Sequence, residues 1–215
     1  MKITEADISA LRSDVKKYMS EKRYEHTLGV EAAAIRIGEY CLPDKIIPLR
    51  CAALLHDISK ELSADEQTEI LREVKGITVS DLLTPPAHHA FTAPTVILRD
   101  FPSFATKEIL SAVFNHTTAS ADMSVFDEIV FIADYVEDGR TYTDCIKVRD
   151  ELFKRLEEAR DIEECVQWLH VATISTLNNT INSLKSRNRF INDRTLSAKE
   201  AFISRMPMSP ELSDN

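Results

Sequence analysis

Six side chains suited to binding a divalent metal are spread through the first two-thirds of this 215-residue sequence. Histidine offers an imidazole nitrogen and aspartate offers carboxylate oxygens, and both are ordinary ligands of divalent metals. One adjacent His–Asp pair follows a run of apolar and small residues, where an uncompensated charge is costly. A metal ion is the usual compensation for such a pair. In chain order they are His26, His56, Asp57, one of the adjacent pair His88 and His89, which spacing alone cannot tell apart, then His116 and Asp134.

Each of these residues also has a purely structural interpretation. A buried neutral histidine with one hydrogen bond would account for His26 taken alone. Arg140 offers Asp134 an ordinary salt bridge, although its planar guanidinium is equally suited to a phosphate. Lys60 could complement the dipole at a helix C-terminus, or stand as a cation beside a phosphate. The case for a metal site therefore depends on the whole series and not on any one member.

Helices are the elements that must position these residues. His26 shares a stripe at helical spacing with apolar residues that follow it, and the apolar run Ala52–Leu55 leads into the His–Asp pair. If that second helix continues, Lys60 lies on the same face as His56. Thr4–Asp7 and Ser63–Glu66 have the pattern of capping boxes that begin helices. Because no stretch alternates with period two for long, the sequence predicts an all-α fold, a helical bundle.

Composition narrows the kind of ligand. The sequence has only four glycines and no Gly-rich phosphate-binding motif, so metals and side chains would have to bind any phosphate. A net charge of −9 argues against a nucleic-acid partner. It leaves room for a nucleotide, because bound cations can invert the local field.

Domain organisation and location are predicted from the same survey. We expect a single helical domain over residues 1–200 and a mobile C-terminal tail over 201–215, where periodicity is lost. The four cysteines show no C-x-x-C spacing, and no segment resembles a signal peptide or a membrane span. These features predict a cytoplasmic protein with no membrane partner. Apolar helical faces could form a homodimer, but no heptad run requires one.

The order H…HD…H…H…D resembles the HD-domain superfamily of metal-dependent phosphohydrolases. Within it the chain looks like the YqeK family, bacterial symmetrical diadenosine tetraphosphate hydrolases, from about Asp14 to about Lys199. The resemblance implies an HD-domain helical bundle. Four stretches carry it, namely Arg23–Thr27, Leu54–Lys60, Asn115–Thr118 and Phe131–Arg140.

The resemblance also implies roles for the series. It aligns His89 with a ligand position and leaves His88 as a bystander or rim residue. His89 and His116 would either complete a second metal site, with Asp57 bridging, or contact the phosphate directly. One or two iron ions are the implied cofactor, with manganese or another divalent metal as the alternative. The implied ligands of the first metal are His26, His56, Asp57 and Asp134.

The activity implied is hydrolysis of a phosphoanhydride, with a metal-bound hydroxide cleaving diadenosine tetraphosphate into two ADP. Asp57 and Lys60 are the expected catalytic residues. An HD-type nucleotidase or phosphodiesterase acting on another nucleotide is one alternative, and a non-catalytic nucleotide-sensing module is another. The expected substrate-binding residues are His89, His116, Arg140, Arg23, Thr117, Asn179 and Thr180.

Overall fold

Eleven α-helices and no β-strand are found in residues 3–206, the part of the chain that this computed structural model describes. The prediction of an all-α fold is confirmed. In chain order the helices are α1 (Glu5–Val15), α2 (Glu21–Cys41), α3 (Ile46–Leu55), α4 (Ala64–Leu71), α5 (Val79–Leu82), α6 (His88–Asp100), α7 (Lys107–Asn115), α8 (Val125–Val136), α9 (Thr143–Glu158), α10 (Ile162–Ser186) and α11 (Asp193–Arg205).

Capping boxes begin several of these helices. The side chains of Thr4 and Ser63 each accept a hydrogen bond from the backbone N–H three residues later. The acidic side chain of that later residue accepts a bond from the backbone N–H of Thr4 or Ser63, as the sequence predicts. Thr78 and Ser124 do the same at the starts of α5 and α8. Each box satisfies two backbone N–H groups that the first turn of a helix leaves without partners.

The core surrounds α3. Every residue from Leu49 to Leu55 is buried, because α2, α7 and α8 pack around this helix on different sides. Residues 51–55 are apolar on all faces, and such a segment is stable only in a central position, while the buried Arg50 pairs with Glu31 and Glu5. The His–Asp pair at 56–57 therefore emerges from the centre of the bundle and not from its surface.

The helix that carries this pair is shorter than the sequence suggests. Helix α3 ends at Leu55, and the chain then tightens into turns in which the Ile58 amide donates to the Leu55 carbonyl at 3.1 Å and the Lys60 amide to the Asp57 carbonyl at 2.9 Å. Such tighter turns satisfy carbonyls that a helix end leaves free. Lys60 consequently does not continue a regular α-helical face with His56, and it lies against His89 instead.

The last helix crosses the predicted start of the tail. Helix α11 extends to Arg205, and Ala198 and Phe202 are fully buried one turn apart on its inner face. Most residues around this apolar pair are polar, so the sequence shows no clear helical periodicity there. For this reason residues 201–205 were predicted to belong to the tail. The rest of the predicted tail, from residue 207, lies outside the described residues. Within residues 3–206 no helix is both long and apolar enough to cross a bilayer.

Candidate metal centre

Helix ends bring the six predicted ligands together. His56 and His116 are the residues that end α3 and α7, and His89 lies in the first turn of α6. His26 lies in the second turn of α2, and Asp134 lies in the last turn of α8. Side chains at helix ends can converge without interrupting the apolar packing of the helices themselves.

The Asp57 carboxylate stands at the centre of this group and is almost fully buried. Its Oδ1 lies 3.2 Å from Nε2 of His89 and 3.6 Å from Nε2 of His116. Its Oδ2 lies 3.4 Å from Nε2 of His56 and 3.9 Å from Nε2 of His26. One carboxylate thus faces four imidazoles, each through the same ring nitrogen.

Asp134 adds a second carboxylate on one side of the centre. Its Oδ1 lies 3.0 Å from Nε2 of His26 and 4.0 Å from Nε2 of His56. Two groups of three result, each with its ligand atoms within 4.8 Å of one another, and His56 belongs to both. The first group is His26, His56 and Asp134, and the second is His56, Asp57 and His116.

Backbone carbonyls fix the ring orientation of two of the histidines. Nδ1 of His56 lies 2.7 Å from the Ala53 carbonyl, and Nδ1 of His116 lies 2.6 Å from the Val113 carbonyl. A carbonyl only accepts, so Nδ1 carries the proton and Nε2 of a neutral ring presents a lone pair. Nε2 of His56 is buried and has no hydrogen-bond partner within residues 3–206. A lone pair facing carboxylate oxygens in this way fits a cation between them.

Glu137 orients the His26 ring, a role that was not predicted from the sequence. Its Oε1 lies 3.1 Å from Nδ1 of His26, and its Oε2 accepts the Gly139 amide at 2.6 Å. A Cβ atom at Gly29 or at Gly139 would lie 2.6 or 2.8 Å from Oε2, so both glycines make room for this carboxylate. Glu137 follows Asp134 by one helical turn, and this spacing is the signal that could have identified it.

Opposing charges and burial shift the pKa values of the centre. Burial lowers the pKa of His26, but the carboxylates of Asp134 and Glu137 outweigh it and raise that pKa to about 9. Burial opposes ionisation of Asp57, yet the surrounding imidazoles hold its pKa well below the usual value. Burial, with His116 and Lys60 nearby, lowers the pKa of His89 to about 4, so His89 is neutral near pH 7. The protein without metal holds a proton on His26 that a divalent cation would replace.

The two arginines expected at the site each bind a carboxylate of the centre. Nη1 of Arg23 lies 2.7 Å from Oδ2 of Asp57, and Nη2 of Arg140 lies 2.7 Å from Oδ1 of Asp134. Both side chains are about a third exposed, so each arginine bridges the centre and the solvent. Both arginines are therefore placed to contact an anion that approaches the centre.

Lys60 and Thr117 meet at His89. Nζ of Lys60 lies 3.0 Å from Nδ1 of His89, and Oγ1 of Thr117 lies 3.1 Å from its Nε2. Nε2 of His89 is also 3.1 Å from Nε2 of His116. His88 turns away and lies 3.3 Å from the Leu82 carbonyl on an exposed surface. The structure thus separates the two adjacent histidines and places only His89 at the centre.

A cavity of about 750 Å³ opens on the exposed side of the centre, lined among others by His26, Arg23 and Arg140. This volume is in the range of sites that hold small molecules. Asn179 and Thr180 are not brought to the centre. They line a separate cavity of about 400 Å³ between α8, α9 and α10.

Known proteins resemble this chain over most of its length. A protein of Halalkalibacterium halodurans named symmetrical bis(5'-nucleosyl)-tetraphosphatase is 29% identical over 187 residues, which cover 85% of this chain and 89% of the relative. A Staphylococcus aureus protein of the same name is 28% identical over 179 residues, covering 80% and 90%. The crystal structure of a predicted HD superfamily hydrolase involved in NAD metabolism, from Clostridium acetobutylicum, has a TM-score of 0.78 and 27% identity, covering 92% of this chain and 97% of that one.

Comparison with protein families matches the HD domain over residues 23–139. This region includes more than half of the chain and all six residues that converge on the centre. The chain therefore belongs to the HD domain family.

Proposed function

We propose that this protein is a metal-dependent phosphoanhydride hydrolase that cleaves diadenosine tetraphosphate symmetrically into two ADP. The observation that carries the proposal is the buried Asp57 carboxylate, which faces four imidazole Nε2 atoms at distances from 3.2 to 3.9 Å. In His56 and His116, Nδ1 donates to a backbone carbonyl, so Nε2 of the neutral ring is an acceptor, and an acceptor gains nothing from facing a carboxylate unless a cation lies between them. The names of the relatives supply the substrate.

The ligands fall into two sets in this proposal. His26, His56, Asp57 and Asp134 hold the first metal. His89 and His116 either complete a second site, with Asp57 shared, or contact the phosphate. A set of imidazoles and carboxylates without thiolates suits iron or manganese better than magnesium, and we propose one or two iron ions.

A divalent metal at this centre would supply an activated water near neutral pH and polarise a phosphoryl oxygen. The surrounding residues do the rest. Arg23 and Arg140 bind the phosphate chain from the cavity side and stabilise the negative charge that develops on its oxygens. Lys60, whose pKa burial lowers, donates a hydrogen bond to the same oxygens from the side of His89. Thr117 holds the neutral His89 ring in place.

Hydrolysis of another nucleotide is the nearest alternative, since no contact in the centre identifies adenine. A module that binds nucleotides without turnover is the second alternative. The complete ligand series favours hydrolysis, because Asp57 faces His26 and His56 through one oxygen and His89 and His116 through the other, and a pure binding module has no need of such a shared carboxylate. Purified, metal-loaded protein that binds diadenosine tetraphosphate and leaves it intact would favour the binding module.

Location and assembly complete the proposal. All four cysteines are free and buried, as suits a protein of a reducing compartment, so we place the protein in the cytoplasm. A net charge of −9 argues against nucleic acid as a partner. A homodimer through exposed apolar side chains stays a prediction.

The deciding experiment is metal analysis of the purified protein together with product identification. One or two equivalents of iron or manganese, with ADP as the sole product from diadenosine tetraphosphate, is the expected result. ATP and AMP as products would contradict symmetrical cleavage. Failure to bind any divalent metal after loading would overturn the metal centre itself.

A further inference from the structure

A second cavity lies beside the first and has no role in the centre described above. It measures about 400 Å³ and lies where α8, the start of α9 and the second half of α10 meet. Its lining includes two tyrosines, one amide and two hydroxyls, with an arginine at one end. The residues that matter here are Tyr135, Tyr142, Asn179, Thr180, Ser183 and Arg187.

Tyr142 separates the two cavities and lines both of them. It is the residue immediately before α9, and 71% of its surface is exposed. A molecule that fills both cavities must pass along the Tyr142 ring.

The two cavities differ in the ligand chemistry that they offer. The first is lined by His26 of the centre together with Arg23 and Arg140, so phosphates bound at the metal would meet these two cations there. The second offers aromatic faces together with the Asn179 amide, which can donate and accept hydrogen bonds. Its lining also includes the Asp144 carboxylate, which disfavours an anion, and Arg187, which donates to the oxygens of Ser183 at 2.7 and 3.0 Å. The second cavity thus suits an uncharged heterocycle better than an anion.

The substrate has the matching shape. Symmetrical cleavage puts the middle of the tetraphosphate at the metal, so each half reaches away through two phosphates to a nucleoside. If the two phosphates of one half of the substrate lie along Arg23 and Arg140, the nucleoside of that half lies farther from the metal than these arginines. Tyr142 stands at the point where the phosphate cavity ends.

We propose that the second cavity binds the purine nucleoside of one half of the substrate, with its base stacked on Tyr142 and its polar edge facing Asn179. This site rests on the proposed function, because it takes its ligand from that substrate. It explains why Asn179 and Thr180 lie away from the metal and yet line a cavity that shares Tyr142 with the first one. Base–aromatic stacks contribute substantially to affinity and tolerate different bases.

Calorimetric titration of the manganese-loaded protein tests the site without relying on turnover. ADP carries the nucleoside, and inorganic pyrophosphate carries only the two phosphates. We expect Tyr142→Ala to weaken ADP binding about tenfold, the effect of one lost stack, and to leave pyrophosphate binding unchanged. Tyr142→Phe, which keeps the ring, should bind ADP like the wild type. Phe190→Ala is the matched control, because Phe190 is an exposed aromatic residue that lines neither cavity.

Two results would overturn the site. Equal ADP affinity in Tyr142→Ala and the wild type would remove Tyr142 from nucleoside binding, and a parallel loss of pyrophosphate affinity would show a general disturbance of the phosphate cavity. The proposed function fails separately, if wild-type protein does not hydrolyse diadenosine tetraphosphate. ADP binding that depends on Tyr142 would survive that failure and would then mark a binding site for a different nucleotide.

Discussion

Oε1 of Glu137 lies 3.1 Å from Nδ1 of His26, on the side of the ring opposite the metal centre. The same carboxylate accepts the Gly139 amide, so it cannot turn away from the histidine without losing a second bond. A carboxylate in this position holds the proton on Nδ1 and aims Nε2 at the centre. Glu137 is therefore a positioning residue for His26.

Replacing this carboxylate should weaken metal binding. Glu137→Gln keeps the shape but removes the charge that holds the Nδ1 proton, and outer partners of this kind typically contribute 10- to 100-fold to metal affinity. We expect about a tenfold loss, measured by competition for manganese with a chromogenic chelator. Glu25→Gln is the control, because Glu25 lines the same cavity as Glu137 and lies next to His26 on α2. Equal losses in the two variants would point to the charge of the cavity and not to Glu137.

Replacing Gly29 with alanine should also weaken metal binding, because it places a methyl group against Glu137. The Cβ of Gly29→Ala would lie 2.6 Å from Oε2 of Glu137, so the carboxylate must move away from its place beside His26. Gly38→Ala is the control on the same helix, because its Cβ would lie 2.6 Å from a Leu49 methyl in the core. Both variants should melt at lower temperature, but only Gly29→Ala should lose manganese affinity. A loss in both would mean that general loosening of α2 weakens the site.

The metal series was predictable because its members follow apolar runs that the sequence displays. The His–Asp pair at 56–57 and Asp134 both stand out as ionisable residues at the ends of buried helices. Glu137 stands out less, since a glutamate near a helix end is ordinary and its place one turn after Asp134 is its one signal in the sequence. The close approach of Gly29 is visible only in the structure. The position of Lys60 could not be predicted from the sequence, because only the hydrogen bonds in the structure show that α3 ends at Leu55.

Removing the central carboxylate should abolish metal binding and activity together. Asp57→Ala leaves Nε2 of four histidines without the anion that they share, and no other described residue can take its place between them. We expect the helical content measured by circular dichroism to stay unchanged. Elemental analysis should find less than about a tenth of an equivalent of metal, and hydrolysis of diadenosine tetraphosphate should be undetectable. Full activity in this variant would contradict the assignment of the centre.

Arg140 should contribute to catalysis and not to metal retention. Its guanidinium binds Asp134 from the cavity side, so Arg140→Ala leaves the carboxylate in place and removes a cation from the phosphate path. Loss of one such donor typically lowers the rate about 100-fold, and we expect a fall of that size in kcat/KM. Metal content should stay at the wild-type value. Loss of metal in the same variant would instead assign Arg140 the structural role of holding Asp134.

Acid should weaken the attachment of α11 to the rest of the bundle. The buried Asp81 carboxylate accepts hydrogen bonds from Arg194 at 2.9 and 3.0 Å and from the Asn192 amide at 3.1 Å. Burial raises the pKa of Asp81, but these bonds and that from the Thr78 backbone outweigh it and lower the pKa below its ordinary value of 3.8.

A carboxyl group whose pKa is lower in the folded state stabilises the fold above its unfolded pKa and loses that effect as the pH falls through its folded pKa. We therefore expect Asp81→Asn to lower the free energy of unfolding by about 2 kcal/mol at pH 7, since hydrogen bonds to charged groups contribute about 1.5–3 kcal/mol. The difference from the wild type should persist at pH 5 and shrink below 3.8. Urea unfolding of both proteins across this range measures it, with the exposed Asp44→Asn as control. A difference that stays constant down to acid pH would show that Asp81 stabilises α11 by shape and not by charge.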